Sequence, residues 1–206
     1  MNKTLFLLVR HGQSIANLNH VLVGQSNVDL SELGFAQAKK TADFLTDTHI
    51  DAVYSSDLLR AYHTALPHAI KRGLPVILNE GLREIFLGDW EGREKDWLLE
   101  NCYEDFAVHW VNDFGTFTCP GGESVPHLAD RICSTLLKIG KENVGKTVLV
   151  GIHAAAIRSF YGKISGIAPE DLGTSLPFAD NGSVTYVELV NGCFKPLEYS
   201  VSAHLS

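Results

Sequence analysis

The run Thr4-Leu5-Phe6-Leu7-Leu8-Val9 is apolar or β-branched at every position and stops abruptly at Arg10-His11-Gly12. Apolar residues without alternation describe a strand covered on both faces, at the centre of a sheet with helices on either side. A second such run, Thr147 to Ile152, ends at His153. Between and around them the pattern alternates. Asn17 to Leu30 reads as a loop. Ser31-Glu32 caps a helix carrying Leu33, Ala36, Ala38, Ala42, Phe44 and Leu45. Asp51 to Ser55 reads as a strand, Asp57 to Arg72 as a helix closed by Gly73, and Pro75 to Leu78 as a third strand. Further on, Val125 to Ile139 and Ala154 to Ile164 read as helices. Ser183 to Leu189 and Cys193 to Tyr199 form a hairpin about Asn191-Gly192. The order predicts an α/β fold of three layers, a mostly parallel central sheet with helices on both faces. Ligands in such sheets sit beyond the carboxyl ends of the strands, where Arg10-His11, Ser55-Ser56, Glu84 and His153 all fall. The segment from about 88 to 122 breaks the alternation and is expected to form a helical lid insertion within a single domain, 1–206.

The chain's 206 residues are enough to bury a substantial core. A net charge of −7 argues against a nucleic-acid surface, so any anion site must be a local positive pocket on an acidic body. The four cysteines form no CxxC pair and show no metal-ligand spacing, which predicts a reduced, cytoplasmic protein. The run from Leu5 to Val9 is too short for a signal-peptide core, and no stretch approaches the length of a membrane span. Neither a membrane nor a nucleic-acid partner is expected, and the chain is expected to be a monomer or a homodimer.

Arg10-His11-Gly12 with Asn17 one helical turn on resembles the opening motif of the histidine phosphatase superfamily, which includes the cofactor-dependent phosphoglycerate mutases. Ser55-Ser56-Asp57-Leu58-Leu59-Arg60-Ala61, followed by Thr64-Ala65, resembles the family's second motif, whose arginine enters the phosphate pocket. Leu82-Arg83-Glu84-Ile85, then Gly88, Trp90, Glu91 and Gly92, resembles its acid-bearing segment. Pro120-Gly121-Gly122-Glu123-Ser124 is similar to another family stretch, and His153 matches its second histidine, with Arg158 beyond it. The resemblance spans nearly the whole chain in the right order. It implies the three-layer α/β fold and a phosphomonoesterase that needs neither metal nor other cofactor.

The same resemblance assigns His11, Glu84, His153, Arg10 and Arg60 to catalysis. Substrate contacts fall to Arg10, Gly12, Gln13, Ser14, Asn17, Gln25, Arg60 and Ala154. A phosphate monoester carries about two negative charges, which two arginines with paired donors can neutralise. His11 must attack as neutral imidazole, its other N–H fixed by a backbone carbonyl. A phosphohistidine follows, with Glu84 to protonate the leaving alcohol. Two positions depart from the family pattern. Ala154 stands where glycine usually follows the second histidine, which matters only if the backbone there needs positive φ. Asn27 replaces a frequent Asp and reads as structural.

Gly140-Lys141-Glu142-Asn143-Val144-Gly145-Lys146-Thr147 fits GxxxxGK[ST] literally. A phosphate-binding loop follows a strand and opens a helix, whereas here a helix precedes and a strand follows, so the match is rejected. The remaining histidines show no HxxxH or HxH spacing, and no metal site is expected. From Asp96 to Asp130 there is no Lys or Arg, while seven positions are acidic: Asp96, Glu100, Glu104, Asp105, Asp113, Glu123 and Asp130. A mutase must hold a second phosphate with basic residues around this region. Trp97, Phe106, Trp110, Phe114 and Phe117 point instead to an apolar lid, with most of these rings packing it down. Hydrolysis of a small phosphorylated metabolite is therefore expected. A phosphoglycerate mutase is the first alternative, and a phosphate-binding regulator without turnover is the second.

Overall fold

The computed structural model describes residues 3–206. Strand β1 (Lys3–Arg10) leads through a short helix α1 (Ile15–Leu18) and a loop to α2 (Glu32–Phe44). Then come β2 (Ala52–Ser55), α3 (Leu59–Arg72), β3 (Val76–Leu78), α4 (Lys95–Asn101) and α5 (Val125–Glu142). The chain closes with β4 (Thr147–Ile152), α6 (Ala154–Ile164), α7 (Leu172–Ser175), β5 (Val184–Val190) and β6 (Cys193–Pro196). One six-stranded sheet has the order β3-β2-β4-β1-β5-β6. The pairs β1/β4, β2/β4 and β2/β3 are parallel, and β5 and β6 add an antiparallel flank. Leu8 lies opposite Val150 and Arg10 opposite Ile152, which brings the ends of β1 and β4, and hence His11 and His153, side by side.

Alternate residues of the central strands feed two cores. Phe6, Leu8, Val148, Val150 and Ile152 pack with Leu128, Ile132 and Leu136 of α5 and Ile157 and Phe160 of α6. Leu7, Val9 and Leu149 pack on the other face with Leu45, Ala65 and Ala69. Both faces are thus covered, as unalternating apolar strands require. Each buried Val, Leu, Ile or Phe side chain among them contributes about 1.5–3 kcal/mol, so the sheet holds the two strand ends rigidly beneath the site.

The predicted bounds of β4 and α6 coincide with the observed ones, and Gly73 closes α3 in the left-handed region at φ 63°. Helix α1 falls partly within the stretch read as a loop. It rests on a capping box in which Ser14 and Asn17 bond each other's backbone N–H. Strand β6 stops at Pro196, which has no N–H to give the ladder. Pairing resumes beyond it, where Leu197 N–H donates to the Tyr186 carbonyl at 3.1 Å. The Gly140-to-Thr147 string closes α5 and leads into β4, the wrong order for a phosphate cradle.

Between 88 and 122 the chain runs through a 3₁₀ turn (Gly88–Trp90), α4, a π-helix (Glu104–Trp110) and a second 3₁₀ turn (Phe114–Thr116). Trp90 stacks on Phe117 at 5.2 Å and meets Phe106 edge-on at 5.7 Å, while Trp110 meets Phe114 at 5.1 Å. Offset and edge-on rings of this kind add roughly 0.5–1.5 kcal/mol per pair beyond their buried area. Of the aromatics expected to pack the lid down, Trp97 alone stays largely outside, covered by the Arg93 guanidinium at 4.4 Å.

Candidate active site

His11 leaves β1 with its own N–H on the Ile152 carbonyl at 2.9 Å, and its Nδ1 lies 2.7 Å from the Gly12 carbonyl. A carbonyl only accepts, so Nδ1 carries the proton and Nε2 the lone pair. Burial pushes the imidazole pKa well below its usual value. Arg60 and Arg10 act in the same direction, while the Gly12 carbonyl pulls the other way. The ring is therefore neutral at pH 7. His153 lies 5.3 Å away, centroid to centroid, at 63°. It is fully buried, and neither ring nitrogen has a partner among the described residues. Its pKa is also pushed well down, first by burial and then by Arg60 and His11.

Two guanidiniums face these rings. Arg60, at the start of α3, is 1% exposed and donates to the carbonyls of Ser26 (2.8 Å) and Gly24 (2.6 Å). Arg10 donates through Nη1 to the Ala179 carbonyl, and its buried Nε has no partner among the described residues. Burial lowers the pKa of both, with Glu84 the leading group pulling upward. Arginine nevertheless stays protonated in proteins.

Glu84 is 7% exposed and sits on the N-terminus of α6. Its Oε2 accepts from Ala155 N–H, and its Oε1 from Ala156 N–H and Ile85 N–H, all at 3.0 Å. A carboxyl group at a helix N-terminus meets both free N–H donors and a favourable dipole. Ala154 lies in the first turn without positive φ, so alanine serves there as well as glycine. Asn27 accepts from Leu59 N–H through Oδ1 at 2.8 Å, an oxygen Asp would equally supply.

A cavity of about 300 Å³ joins these groups, lined by Arg10, His11, Ser14, Asn17, Arg60, Glu84 and Ala154. His153 lies behind it, buried against His11. Three expected contacts fall outside the lining. Gly12 gives its N–H to Thr64 Oγ1 (3.0 Å), and a Cβ there would come 2.4 Å from the Gly34 carbonyl. Its role is close approach of two backbones. Gln13 is spent on α2, with its N–H on Gln37 and its Oε1 accepting from Ser31. Gln25 donates to the Glu84 carbonyl at 3.2 Å, behind the acid.

Other groups escaped sequence reasoning. Asn181 donates to the His11 carbonyl (3.0 Å) and to Asn17 Oδ1 (3.3 Å), from 170 residues away in the chain. Arg131 holds the carbonyls of Gly81, Arg83 and Glu84 and pairs with Glu123. Arg158 stays out of the cavity. It bonds the Leu172, Gly173 and Leu176 carbonyls and lies over the rings of Phe114 and Phe178.

The far wall consists of Val21, Leu22, Val23, Ile85, Leu87, Trp110 and Phe178, with Lys95 among them. This corrects the expected influence of the acidic segment. None of its carboxylates lines the cavity: Asp96, Glu100, Glu104, Asp105 and Asp130 are exposed, Asp113 is half-buried beside His109 and the Glu123 side chain is buried against Arg131, whereas Lys95, one residue before the segment, does line it. Among the described residues no group of three or more His, Cys, Asp or Glu is arranged to hold a metal ion. Nor is any described helix long and apolar enough to cross a membrane.

The histidine phosphatase superfamily (branch 1) model matches residues 6–201. Phosphoserine phosphatase 1 of Hydrogenobacter thermophilus is 33% identical over 97% of the chain and 93% of that protein. A 2,3-bisphosphoglycerate-dependent phosphoglycerate mutase of Cytophaga hutchinsonii is 28% identical over 98% and 91%. The native structure of a mycobacterial glucosyl-3-phosphoglycerate phosphatase superposes with a TM-score of 0.88 at 26% identity, covering 97% of this chain and 100% of that one.

Proposed function

Since the chain belongs to the histidine phosphatase superfamily, branch 1, we propose that it hydrolyses a small phosphomonoester through a phosphohistidine on His11. The observation that carries this reading is the neutral, tautomer-fixed His11 ring, its free Nε2 sharing a cavity with two guanidiniums. Arg10 and Arg60 take the phosphate oxygens, with Asn17 and the Ala154 N–H completing the shell and His153, whose ring nitrogens have no partner among the described residues, turned to a phosphate oxygen once the substrate is bound. The Nε2 lone pair attacks phosphorus, the ester P–O bond breaks, and the leaving oxygen takes a proton from Glu84. Of its two oxygens Oε2 is the less encumbered, with one amide donor against two on Oε1. Water then attacks the phosphohistidine and returns a proton to Glu84. The P–N bond breaks, releasing inorganic phosphate and neutral His11. The 88–122 segment acts as the lid of this single domain.

The leaving group meets an apolar wall that carries one cation beyond the two pocket arginines, Lys95. This suits a monoester with an apolar body or a single carboxylate better than one bearing a second phosphate. Similarity to a named phosphoserine phosphatase and to a glucosyl-3-phosphoglycerate phosphatase supports hydrolysis. Similarity to a mutase keeps phosphoryl transfer as the competing reading. All four cysteines are free thiols, as a reducing cytoplasm would keep them.

The test is phosphate release from an aryl phosphate and from phosphoserine with chelator present. Metal-independent release, lost on the order of 10⁴-fold or more in His11→Ala, supports the reading. Phosphate binding without turnover would make the protein a regulator. Transfer between the hydroxyls of phosphoglycerate outrunning release would make it a mutase.

A further inference from the structure

Among the described residues Arg60 has no carboxylate in direct contact, and its two hydrogen-bond partners are the carbonyls of Gly24 and Ser26. The same short loop turns its N–H groups the opposite way, onto one carboxylate. Glu91 accepts from Gly24 N–H at 2.9 Å, Ser26 N–H at 2.8 Å and Gln25 N–H at 3.4 Å. Donors converging on an anion from successive residues form a nest, and its carbonyls are left facing outward. Gly24 is the residue that permits this geometry. A Cβ there would meet the Ile85 carbonyl at 2.1 Å and Glu91 Oε2 at 3.0 Å. The strand of chain carrying Glu91 is itself stitched to the loop's approach. Leu22 N–H donates to Arg93, Gly92 N–H to Leu22 and Lys95 N–H to His20, at 2.8–2.9 Å.

We infer that Glu91 is a positioning residue for Arg60, folding the 24–26 loop so that two carbonyls hold the guanidinium in the phosphate pocket. The inference rests on the phosphatase reading in that it takes Arg60 as a phosphate ligand. Glu91 lies outside the cavity lining and reaches Arg60 by hydrogen bonds only through the loop, while its charge also favours the protonated guanidinium. Fixing Arg60 beforehand spares the bound state the cost of ordering a long side chain.

The test is a double-mutant cycle read by the affinity for inorganic phosphate, measured calorimetrically, alongside KM and kcat for an aryl phosphate. Glu91→Ala is expected to weaken phosphate binding about tenfold and to raise KM more than it lowers kcat. Glu91→Gln, which keeps an acceptor oxygen for Gly24 and Ser26, should recover most of that loss. In an Arg60→Ala background Glu91→Ala should cost nothing further, because the residue it positions is gone. Equal losses in both backgrounds would overturn the inference, assigning Glu91 to general stability. If Glu91→Ala does not fold, Glu91→Asp, whose shorter side chain draws the carboxylate away from the loop amides, runs through the same cycle and separates the two outcomes in the same way. A native protein that binds no phosphate would instead sink the phosphatase reading itself.

Discussion

The two ends of the cavity are built by different means. At the phosphate end His11 and His153 follow adjacent parallel strands, and Arg10, Arg60 and Glu84 are each tied to main-chain groups. At the far end the wall comes from the 21–23 loop, a π-helix, short turns and the 172–178 stretch, where main-chain bonds hold the loop and the Arg158 guanidinium but the Trp110 and Phe178 surface is set by ring contacts. Main-chain partners do not depend on which side chain occupies a neighbouring position, so the first arrangement is fixed by the fold. Ring packing does depend on it, so the second can be reshaped without disturbing the sheet. On the proposed function, the chemistry and the choice of substrate would therefore be mechanically separable.

Changes at the phosphate end should be the larger. Arg10→Ala removes a guanidinium able to make two charge-assisted bonds of about 1.5–3 kcal/mol each, so kcat/KM should fall on the order of 10²–10⁴-fold for every monoester alike. A loss confined to one substrate would break the separation. On stability rather than activity, the phosphate end also predicts a pH effect. His11, His153 and His68 are all buried with depressed pKa values, His68 to about 3, with burial the first cause in each. The folded state therefore binds fewer protons than the unfolded chain below about pH 6.5. Stability should be complete above that pH and fall as pH drops through the window down to the folded values, by up to about 1.4 kcal/mol per pH unit for each ring. Denaturant unfolding across pH 3–7 measures it, and His68→Leu should flatten the slope by one proton's worth.

The smallest effect belongs to the far wall. Lys95→Ala should lower kcat/KM for phosphoserine about two- to fivefold, as for an exposed ion pair, while leaving an aryl phosphate nearly unchanged. Equal loss on both substrates would move Lys95 into the phosphate site.

Sequence reasoning reached the sheet and its ends because unalternating runs such as Thr147–Ile152 have few other stable uses. It singled out His11, Arg60, Glu84 and His153 because each lies in a recognisable motif beyond a strand, and the fold brings these four together at one end of the sheet. Gly12, Gln13 and Gln25 lie outside the cavity lining with their donors turned to the protein, since nearness along the chain to a reactive residue says nothing about which way a donor faces. Asn181 and Arg131 were invisible for the converse reason, and Glu91 showed only as a member of a motif with no role of its own. Their roles exist only where distant loops cross, and no local period or spacing encodes a crossing. Lys95 was passed over because charge was counted along the segment, while only its three-dimensional side decides what a ligand feels.

The close approach of Gly12 to Gly34 bears on how this protein could be re-engineered. A Cβ on Gly12 would meet the Gly34 carbonyl at 2.4 Å, and one on Gly34 the Gln13 carbonyl at 2.0 Å. With bare backbone on both sides, neither position has a neighbouring side chain that could be trimmed to make room for the other. Single-site libraries across the Arg-His-Gly turn would thus return mostly unfolded clones at Gly12, whatever activity was selected. Diversity spent on Lys95, Trp110 and Phe178 would be sampled in a molecule that still folds.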